Sequence, residues 1–142
     1  MSDVRIDHLG IAVRSLNAAL SFYERALGLT AYGQEVVEHE KVRVAMLPAA
    51  EGGPPERVRP RIELLEATAE DSPVARFIAK RGEGLHHLAL RVPNLDAAVG
   101  RLRAAGARLV SENVEAGAGG HRYIFVHPSS TGGVLLELIE GD

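Results

Sequence analysis

The sequence has no cysteine, no tryptophan and only 4% aromatic residues, and it lacks a long apolar run. Without cysteine, disulfide scaffolds, thiolate catalysis and Cys-ligated metal or iron–sulfur sites are excluded. No apolar stretch approaches the roughly 18 residues of a membrane span. The chain also does not start with a basic segment followed by an apolar core, so no secretory signal is predicted. These absences favour a cytoplasmic protein that does not contact a membrane.

The charge balance argues against a nucleic-acid surface. There are 16 Lys and Arg residues against 19 Asp and Glu, a formal net charge of −3, whereas nucleic-acid-binding domains are usually basic. Hydrophobic residues at 46% and charged residues at 25% are typical of a globular chain. With 142 residues we expect a single domain.

The same sequence pattern occurs twice along the chain. Residues 6–13 are echoed by 85–92, residues 15–20 by 94–99, and residues 62–66 by 136–140. Because the three matches occur in the same order, they predict a duplicated module. We expect one module at 1–67, a helical linker at 68–83 and a second module at 84–142.

Each module predicts a strand, a helix and three further strands, an α+β fold of two tandem βαβββ modules. Ser15 is the expected N-cap of the first helix, and Asp71 or Ser72, followed by Pro73, that of the linker helix. Strands are expected at 4–13, 30–37, 42–47, 59–66, 85–92, 108–114, 122–127 and 134–139, helices at 15–26 and 95–105, and a turn-rich loop at 51–56.

A histidine and a glutamate recur at matching places in the two modules. Strand alternation puts His8 and His87 on the face beside small residues, with Leu9, Ile11 and Val13 of the first strand on the face that covers the helix. Glu63 and Glu137 interrupt apolar strands, where an ionised carboxylate costs several kcal/mol unless it is paired or metal-bound.

Folding the modules about a pseudo-twofold axis would bring the two histidines and the two glutamates together. Such a donor set suits Co²⁺, Mn²⁺, Ni²⁺, Fe²⁺ or Zn²⁺, and spacing alone does not choose among them. His86 points to the opposite face of its strand and is interpreted as structural, and His39 is interpreted as solvated. The duplicated placement therefore predicts a divalent metal site.

This pattern resembles the vicinal oxygen chelate superfamily, whose fold is two βαβββ modules forming a cupped mixed sheet around one metal. Within it, four stretches are similar to the methylmalonyl-CoA epimerases. The Asp71-Ser-Pro start of the linker helix and the stretch from His127 are the more particular of these matches. The similar stretches are residues 6–13, 70–77, 80–89 and 127–137.

The resemblance implies a metal held by His8, Glu63, His87 and Glu137, with Co²⁺ favoured over Mn²⁺, Ni²⁺ or Zn²⁺. It also implies that Glu137 transfers a proton at C2 of an acyl-CoA thioester, so that methylmalonyl-CoA is epimerised through an enolate. Some relatives carry a second catalytic Glu where this chain has Val44, and the partner of Glu137 therefore stays open. A homodimer and a role in propionate metabolism are implied as well.

Two other functions are compatible with this scaffold. A glyoxalase I-like lactoylglutathione lyase uses the same four ligand types, but the Asp71-Ser-Pro and His127 stretches count against it. A metal-free small-molecule-binding protein would bind in an aromatic-lined cleft, and the aromatic content of 4% argues against this. Extradiol dioxygenases use two His and one Glu, and Glu63 would be a fourth ligand crowding the oxygen site.

Overall fold

The computed structural model of the chain describes residues 3–49 and 60–141. The turn-rich loop predicted at 51–56 and the start of the strand predicted at 59–66 lie outside the described residues. The chain forms two compact units. The first unit is His8–His86, and the second is Met1–Asp7 with His87–Asp142. None of the described helices is long and apolar enough to cross a membrane.

Among the residues that the structure describes, the first unit has four strands and two α-helices. Its strand order is β2-β3-β4-β1, in which β1 and β4 are parallel and the other pairs are antiparallel. A π-helical turn, Phe22–Ala26, continues α1. The elements are β1 (Arg5–Ala12), α1 (Leu16–Ser21), β2 (Tyr32–Val37), β3 (Val42–Leu47), β4 (Arg61–Ala67) and α2 (Pro73–Arg81).

The predicted helix caps of this unit are confirmed. The Ser15 hydroxyl accepts a hydrogen bond from the Ala18 N–H at 3.2 Å, and the Ser72 hydroxyl accepts one from Val74 at 3.2 Å. Each cap satisfies an N–H group that the first helical turn leaves unpaired. The apolar face of α1 packs on the sheet in a cluster of Val13, Leu16, Leu20, Ala45, Leu47 and Leu64.

One part of the predicted packing is wrong. Ile11 and Val13 pack under α1 as expected, but Leu9 on the same face of β1 remains 37% exposed. The cluster under the short α1 helix ends at Ile11 and does not reach Leu9. The apolar face of β1 is therefore covered over only part of its length.

The second unit repeats the plan, with strand order β5-β8-β7-β6 and a parallel β5–β8 pair. Its core lies between this sheet and α3 and includes Val92, Leu95, Ile124 and Leu138. The elements are β5 (Gly84–Val92), α3 (Leu95–Ala104), β6 (Glu115–Ala116), β7 (Arg122–Val126) and β8 (Leu136–Glu140). The α+β class with two βαβββ modules is thus confirmed.

The prediction of a strand at 108–114 is largely wrong. This segment makes only an isolated bridge between Leu109 and Val126, and β6 follows as a two-residue strand. The Ser111 hydroxyl donates to the Asn113 carbonyl at 3.0 Å. Such local side-chain bonds compete with a strand ladder, and apolar periodicity does not reveal them.

The duplication extends to a contact that the sequence did not predict. In the first unit, Glu66 at the end of β4 accepts a hydrogen bond from the Leu16 N–H at 2.9 Å and pairs with Arg43 at 3.3 Å. In the second unit, Glu140 accepts from the Leu95 N–H at 3.0 Å and pairs with Arg122 at 3.0 Å. In both units the last strand is tied to the start of the helix.

A buried ion pair in the second unit holds the first residues of β1. Asp7 and Arg91 are 0% and 3% exposed, and the Arg91 Nε–H donates to Asp7 Oδ1 at 2.7 Å. Gly141 adjoins this pair, because a Cβ atom there would lie 1.8 Å from Arg91 Nη1. Asp7 directly precedes His8, so the pair anchors the chain next to a predicted site residue.

We expect Asp7→Asn to lower the free energy of unfolding by about 3–5 kcal/mol, because it removes the carboxylate charge from a buried guanidinium. Denaturant unfolding measures this loss. Asp96→Asn is the control, because Asp96 is 72% exposed in its pair with Arg122 and exposed pairs contribute little. Equal losses in the two variants would contradict the assignment of a stabilising role to the buried pair.

Candidate metal centre

The first unit places His8 and Glu63 together on neighbouring parallel strands. Gly10 of β1 lies opposite Glu63 of β4, and His8 lies opposite Arg61. Residues two apart on a strand share a face, so the His8 and Glu63 side chains project from the same side of the sheet. His8 Nε2 is 3.5 Å from Glu63 Oε1, and the two residues are 3% and 6% exposed.

The second unit places His87 and Glu137 in the equivalent arrangement. Ala89 of β5 lies opposite Glu137 of β8, as Gly10 does opposite Glu63. His87 Nε2 is 3.2 Å from Glu137 Oε1, and the two residues are 6% and 8% exposed. Each unit therefore contributes one buried imidazole nitrogen paired with one buried carboxylate oxygen.

These donors are chemically suited to a divalent ion. His8, His87 and Glu137 each offer a buried atom that could hold a metal, and Glu63 offers a fourth through its pair with His8. Imidazole nitrogen and carboxylate oxygen are the usual ligands of borderline first-row divalent ions. A bound cation would offset part of the cost of burying the two carboxylates.

The comparison with known proteins places the chain in a family. The model of the glyoxalase/bleomycin resistance protein/dioxygenase superfamily matches residues 7–125. The chain belongs to this superfamily. Enzymes of the superfamily bind a divalent metal ion.

The relatives of this chain include methylmalonyl-CoA epimerases. The chain is 38% identical to the Homo sapiens mitochondrial methylmalonyl-CoA epimerase, over 94% of this chain and 72% of the human protein. It is 34% identical to the Cereibacter sphaeroides ethylmalonyl-CoA/methylmalonyl-CoA epimerase, over 94% of this chain and 96% of that protein. The resemblance to methylmalonyl-CoA epimerases is confirmed by these matches.

A solved structure extends the likeness to three dimensions. A variant of the Streptomyces coelicolor methylmalonyl-CoA epimerase, in complex with 2-nitronate-propionyl-CoA, matches with a TM-score of 0.87 at 38% identity. The match covers 96% of each chain. That protein therefore shares the superfamily fold along nearly the whole of its length and binds an acyl-CoA analogue.

In the first unit, apolar side chains lie on the same face of the sheet as Glu63. Met46 of β3 lies opposite Glu63 and Val44 lies opposite Leu65, on the face that carries Glu63. Val44 is 1% exposed. The position that bears a second catalytic Glu in some relatives thus holds a buried, non-ionisable side chain on the ligand face.

The equivalent face of the second unit is aromatic. Phe125 of β7 lies opposite Glu137 and contacts the His87 ring edge-to-face at 5.5 Å. Tyr123 contacts Phe125 at 5.6 Å, and its hydroxyl donates to Glu115 Oε2 at 3.1 Å. Sequence reasoning missed these residues because only strand register reveals that Phe125 lies opposite Glu137.

Arg61 is a second residue that sequence reasoning missed. It is 7% exposed and donates from Nη1 to the Tyr32 hydroxyl at 2.8 Å. Its position two residues before Glu63 in an alternating strand is a signal that could have identified it. A buried guanidinium therefore lies on the face of β4 that also carries Glu63.

The histidines interpreted as non-ligands have other surroundings. His86 contacts the Phe77 ring at 4.9 Å. The His39 side chain is 44% exposed and lies 3.9 Å from Glu40. The turn Glu38–Glu40 is joined to α2 by a hydrogen bond from the Ser72 hydroxyl to the Glu40 carbonyl at 3.3 Å.

Arg122 forms ion pairs within the second unit. Its guanidinium donates to Asp96 at 2.8 Å and to Glu140 at 3.0 Å. The hydrogen bond to Asp96, followed by that to Glu140, raises the pKa of Arg122. Since Glu140 also binds the first turn of α3, Arg122 contributes to the strand–helix contact of its unit.

We expect Gly117→Ala to destabilise the protein, because a Cβ atom there would lie 2.8 Å from the Tyr123 ring that supports Phe125 and His87. Overpacking of this kind costs about 1–3 kcal/mol. Gly100→Ala is the matched control, because Gly100 lies in α3 with open space around its Cα. It should stabilise by about 0.5–1 kcal/mol, and thermal unfolding distinguishes the two. A stabilising Gly117→Ala would contradict the packing.

Proposed function

We propose that this chain interconverts the two C2 epimers of methylmalonyl-CoA at a divalent-ion centre formed by His8, Glu63, His87 and Glu137. The chain is an isomerase of the epimerase class, like its relatives. The observation that carries the proposed centre is the buried His–Glu pair present at equivalent positions in both units. The substrate is an acyl-CoA thioester, in keeping with the acyl-CoA analogue bound by the Streptomyces coelicolor relative.

The four side chains fit a metal ion by their chemistry. Two neutral imidazoles and two carboxylates would give a net ligand charge of −2, which a divalent cation neutralises. We favour Co²⁺, with Mn²⁺, Ni²⁺ and Zn²⁺ as the other candidates, since all accept nitrogen and carboxylate oxygen ligands. When bound, the ion would act as a Lewis acid toward the negative charge that develops on the substrate oxygens.

The reaction requires a proton to leave C2 and to return on the opposite face. C2 of methylmalonyl-CoA lies between a thioester and a carboxylate, so loss of its proton gives an enolate. A base on one face removes the proton and an acid on the other face returns one. The low exposure of Glu63 and Glu137 is suited to this chemistry, because exclusion of water strengthens electrostatic interactions with the developing charge.

We assign the proton transfer to Glu137 and a ligand role alone to Glu63. The carboxylate of Glu137 can accept the C2 proton on its own face while another group donates a proton on the opposite face, and in the reverse direction Glu137 is the donor. Val44 has no ionisable group, so the group that works opposite Glu137 is not at that position. Glu40, Glu38 and a bound water are the candidates for that group.

The chain is further proposed to act as a homodimer in the cytoplasm. The dimer derives from the likeness to the epimerases, and size-exclusion chromatography with light scattering tests it. The compartment is the expectation drawn from the sequence above. A single-chain mass would count against the dimer without affecting the proposed chemistry.

We expect His8→Ala and His87→Ala each to lower metal content from about one ion per chain toward zero and to lower the thermal midpoint, because metal binding and folding are coupled. Elemental analysis of the purified variants measures the content. His86→Ala is the matched control, since His86 is adjacent to His87 on β5 but faces the other way. Full metal content in both test variants would show that the centre lies elsewhere.

We expect Glu137→Gln to lower the rate of epimerisation by about 10²–10⁴-fold, the usual contribution of general acid–base catalysis. Glu63→Gln is the matched control, because some relatives have Gln at that position, and it should lower the rate much less. Metal content should stay near one ion per chain in both variants. Deuterium exchange at C2 should fall in parallel with epimerisation in Glu137→Gln. Equal losses would mean that both carboxylates are only ligands.

A further inference from the structure

His127 follows the last residue of β7 and lies on the same face as Phe125. The Val110 N–H donates to the Phe125 carbonyl at 2.9 Å, and the His127 N–H donates to the Arg108 carbonyl at 2.8 Å. With φ −64° and ψ 140°, His127 continues the extended backbone of the strand. Residues two apart on a strand share a face, and Phe125 lies opposite Glu137. The His127 ring therefore projects from the face of the sheet that carries Glu137.

The strand register places His127 in the row of the sheet that holds His87. Ala89 and Phe125 lie opposite Glu137 on the two strands that flank β8. His87 precedes Ala89 by two residues in a strand parallel to β8, and His127 follows Phe125 by two residues in an antiparallel one. One strand thus separates the two histidines, which corresponds to about 10 Å between their Cα atoms. His127 is a neighbour of the candidate ligands of its own unit.

The turn after β7 fixes which ring nitrogen of His127 carries hydrogen. The Ser129 backbone N–H donates to His127 Nδ1 at 3.0 Å, and the Ser129 hydroxyl lies 2.8 Å from the same nitrogen. Because Nδ1 accepts, the neutral ring carries its hydrogen on Nε2. Among the residues that the structure describes, the hydrogen bonds of this ring are made at Nδ1. The Nε2–H group is therefore a neutral donor on a ring that the turn orients.

Exposure increases from the candidate ligands toward this turn. His87 and Glu137 are 6% and 8% exposed, whereas His127 is half-buried and Ser129 is exposed. An acyl-CoA whose acyl end lies at the buried pair has to extend toward solvent through its pantetheine arm. His127 has the intermediate burial that a contact with the first part of this arm requires.

We propose that His127 donates from Nε2 to the pantetheine amide carbonyl nearest the thioester, an inference that rests on the proposed function. Two carbon atoms join this amide to the sulfur, so the amide lies a short distance beyond the acyl group. A single neutral N–H suits a neutral carbonyl oxygen, whereas carboxylates and phosphates are bound more strongly by charged donors. His127 is a binding residue for the arm, and the proton transfer remains with Glu137.

The test measures C2 deuterium exchange in two methylmalonyl thioesters that differ in the amide. The thioester of N-acetylcysteamine retains it, and in that of 4-methylpentanethiol carbon atoms replace the amide nitrogen and oxygen. For the first thioester, His127→Asn should lower kcat/KM by about threefold to tenfold, the contribution of one neutral hydrogen bond. The loss should lie in KM, because the arm does not change during the reaction. For the second thioester, kcat/KM should stay at the wild-type value.

His127→Gln is the matched variant. The Asn side-chain oxygen takes the place of Nδ1 and is a good acceptor for the N–H of a turn, but Asn does not reach the place of Nε2. The longer Gln side chain brings an N–H donor to that place, so His127→Gln should recover most of the lost kcat/KM. Thermal unfolding establishes that each variant folds. If His127→Gln does not fold, His127→Asn with the two thioesters carries the test alone.

Two results would overturn the inference. Unchanged kcat/KM for the N-acetylcysteamine thioester in folded His127→Asn would exclude a hydrogen bond to the amide. An equal loss for both thioesters would show that His127 acts at the acyl end or on the fold of its turn. Wild-type protein that exchanges no C2 deuterium in methylmalonyl-CoA would contradict the proposed function and this inference with it, whereas either of the first two results with an active wild type contradicts the inference alone.

Discussion

The burial of a carboxylate beside an imidazole is the constraint on which the functional face of each unit depends. Glu63 and Glu137 are 6% and 8% exposed, and each has a histidine nitrogen within 3.5 Å. In an apolar strand such a group is unfavourable unless a positive charge compensates it. A divalent ion held at the proposed centre would supply that positive charge, which is the reason for the expectation that loss of a ligand lowers both metal content and stability.

The strands that carry these pairs are held at their far ends by a repeated contact. Glu66 and Glu140 each lie three residues beyond a candidate ligand and bind the first helical N–H of their own unit. Residues three apart on a strand point to opposite faces. In each unit the contact with the helix therefore lies on the face of the strand opposite the candidate ligand. The second unit thus repeats both the candidate ligands and the contact between the last strand and the helix.

The surroundings of the two pairs differ although the pairs themselves are equivalent. Glu63 lies opposite Met46 and beside Arg61, whereas Glu137 lies opposite Phe125. The different roles proposed for Glu63 and Glu137 are consistent with these different surroundings.

The sequence by itself determined the βαβββ order of elements, the helix cap at Ser15 and the choice of four candidate ligands, because alternation, capping chemistry and internal repetition are local signals. It left the second cap open between Asp71 and Ser72, and the structure places it at Ser72. It did not determine the strand at 108–114, where side-chain bonds replaced the ladder, or the partial cover of β1 that leaves Leu9 exposed. Only the tertiary structure decided that Phe125 lies opposite Glu137 and that Arg61 reaches Tyr32. Strand register and side-chain length bring together residues that are distant along the chain, and the periodicity of the sequence does not reveal these contacts.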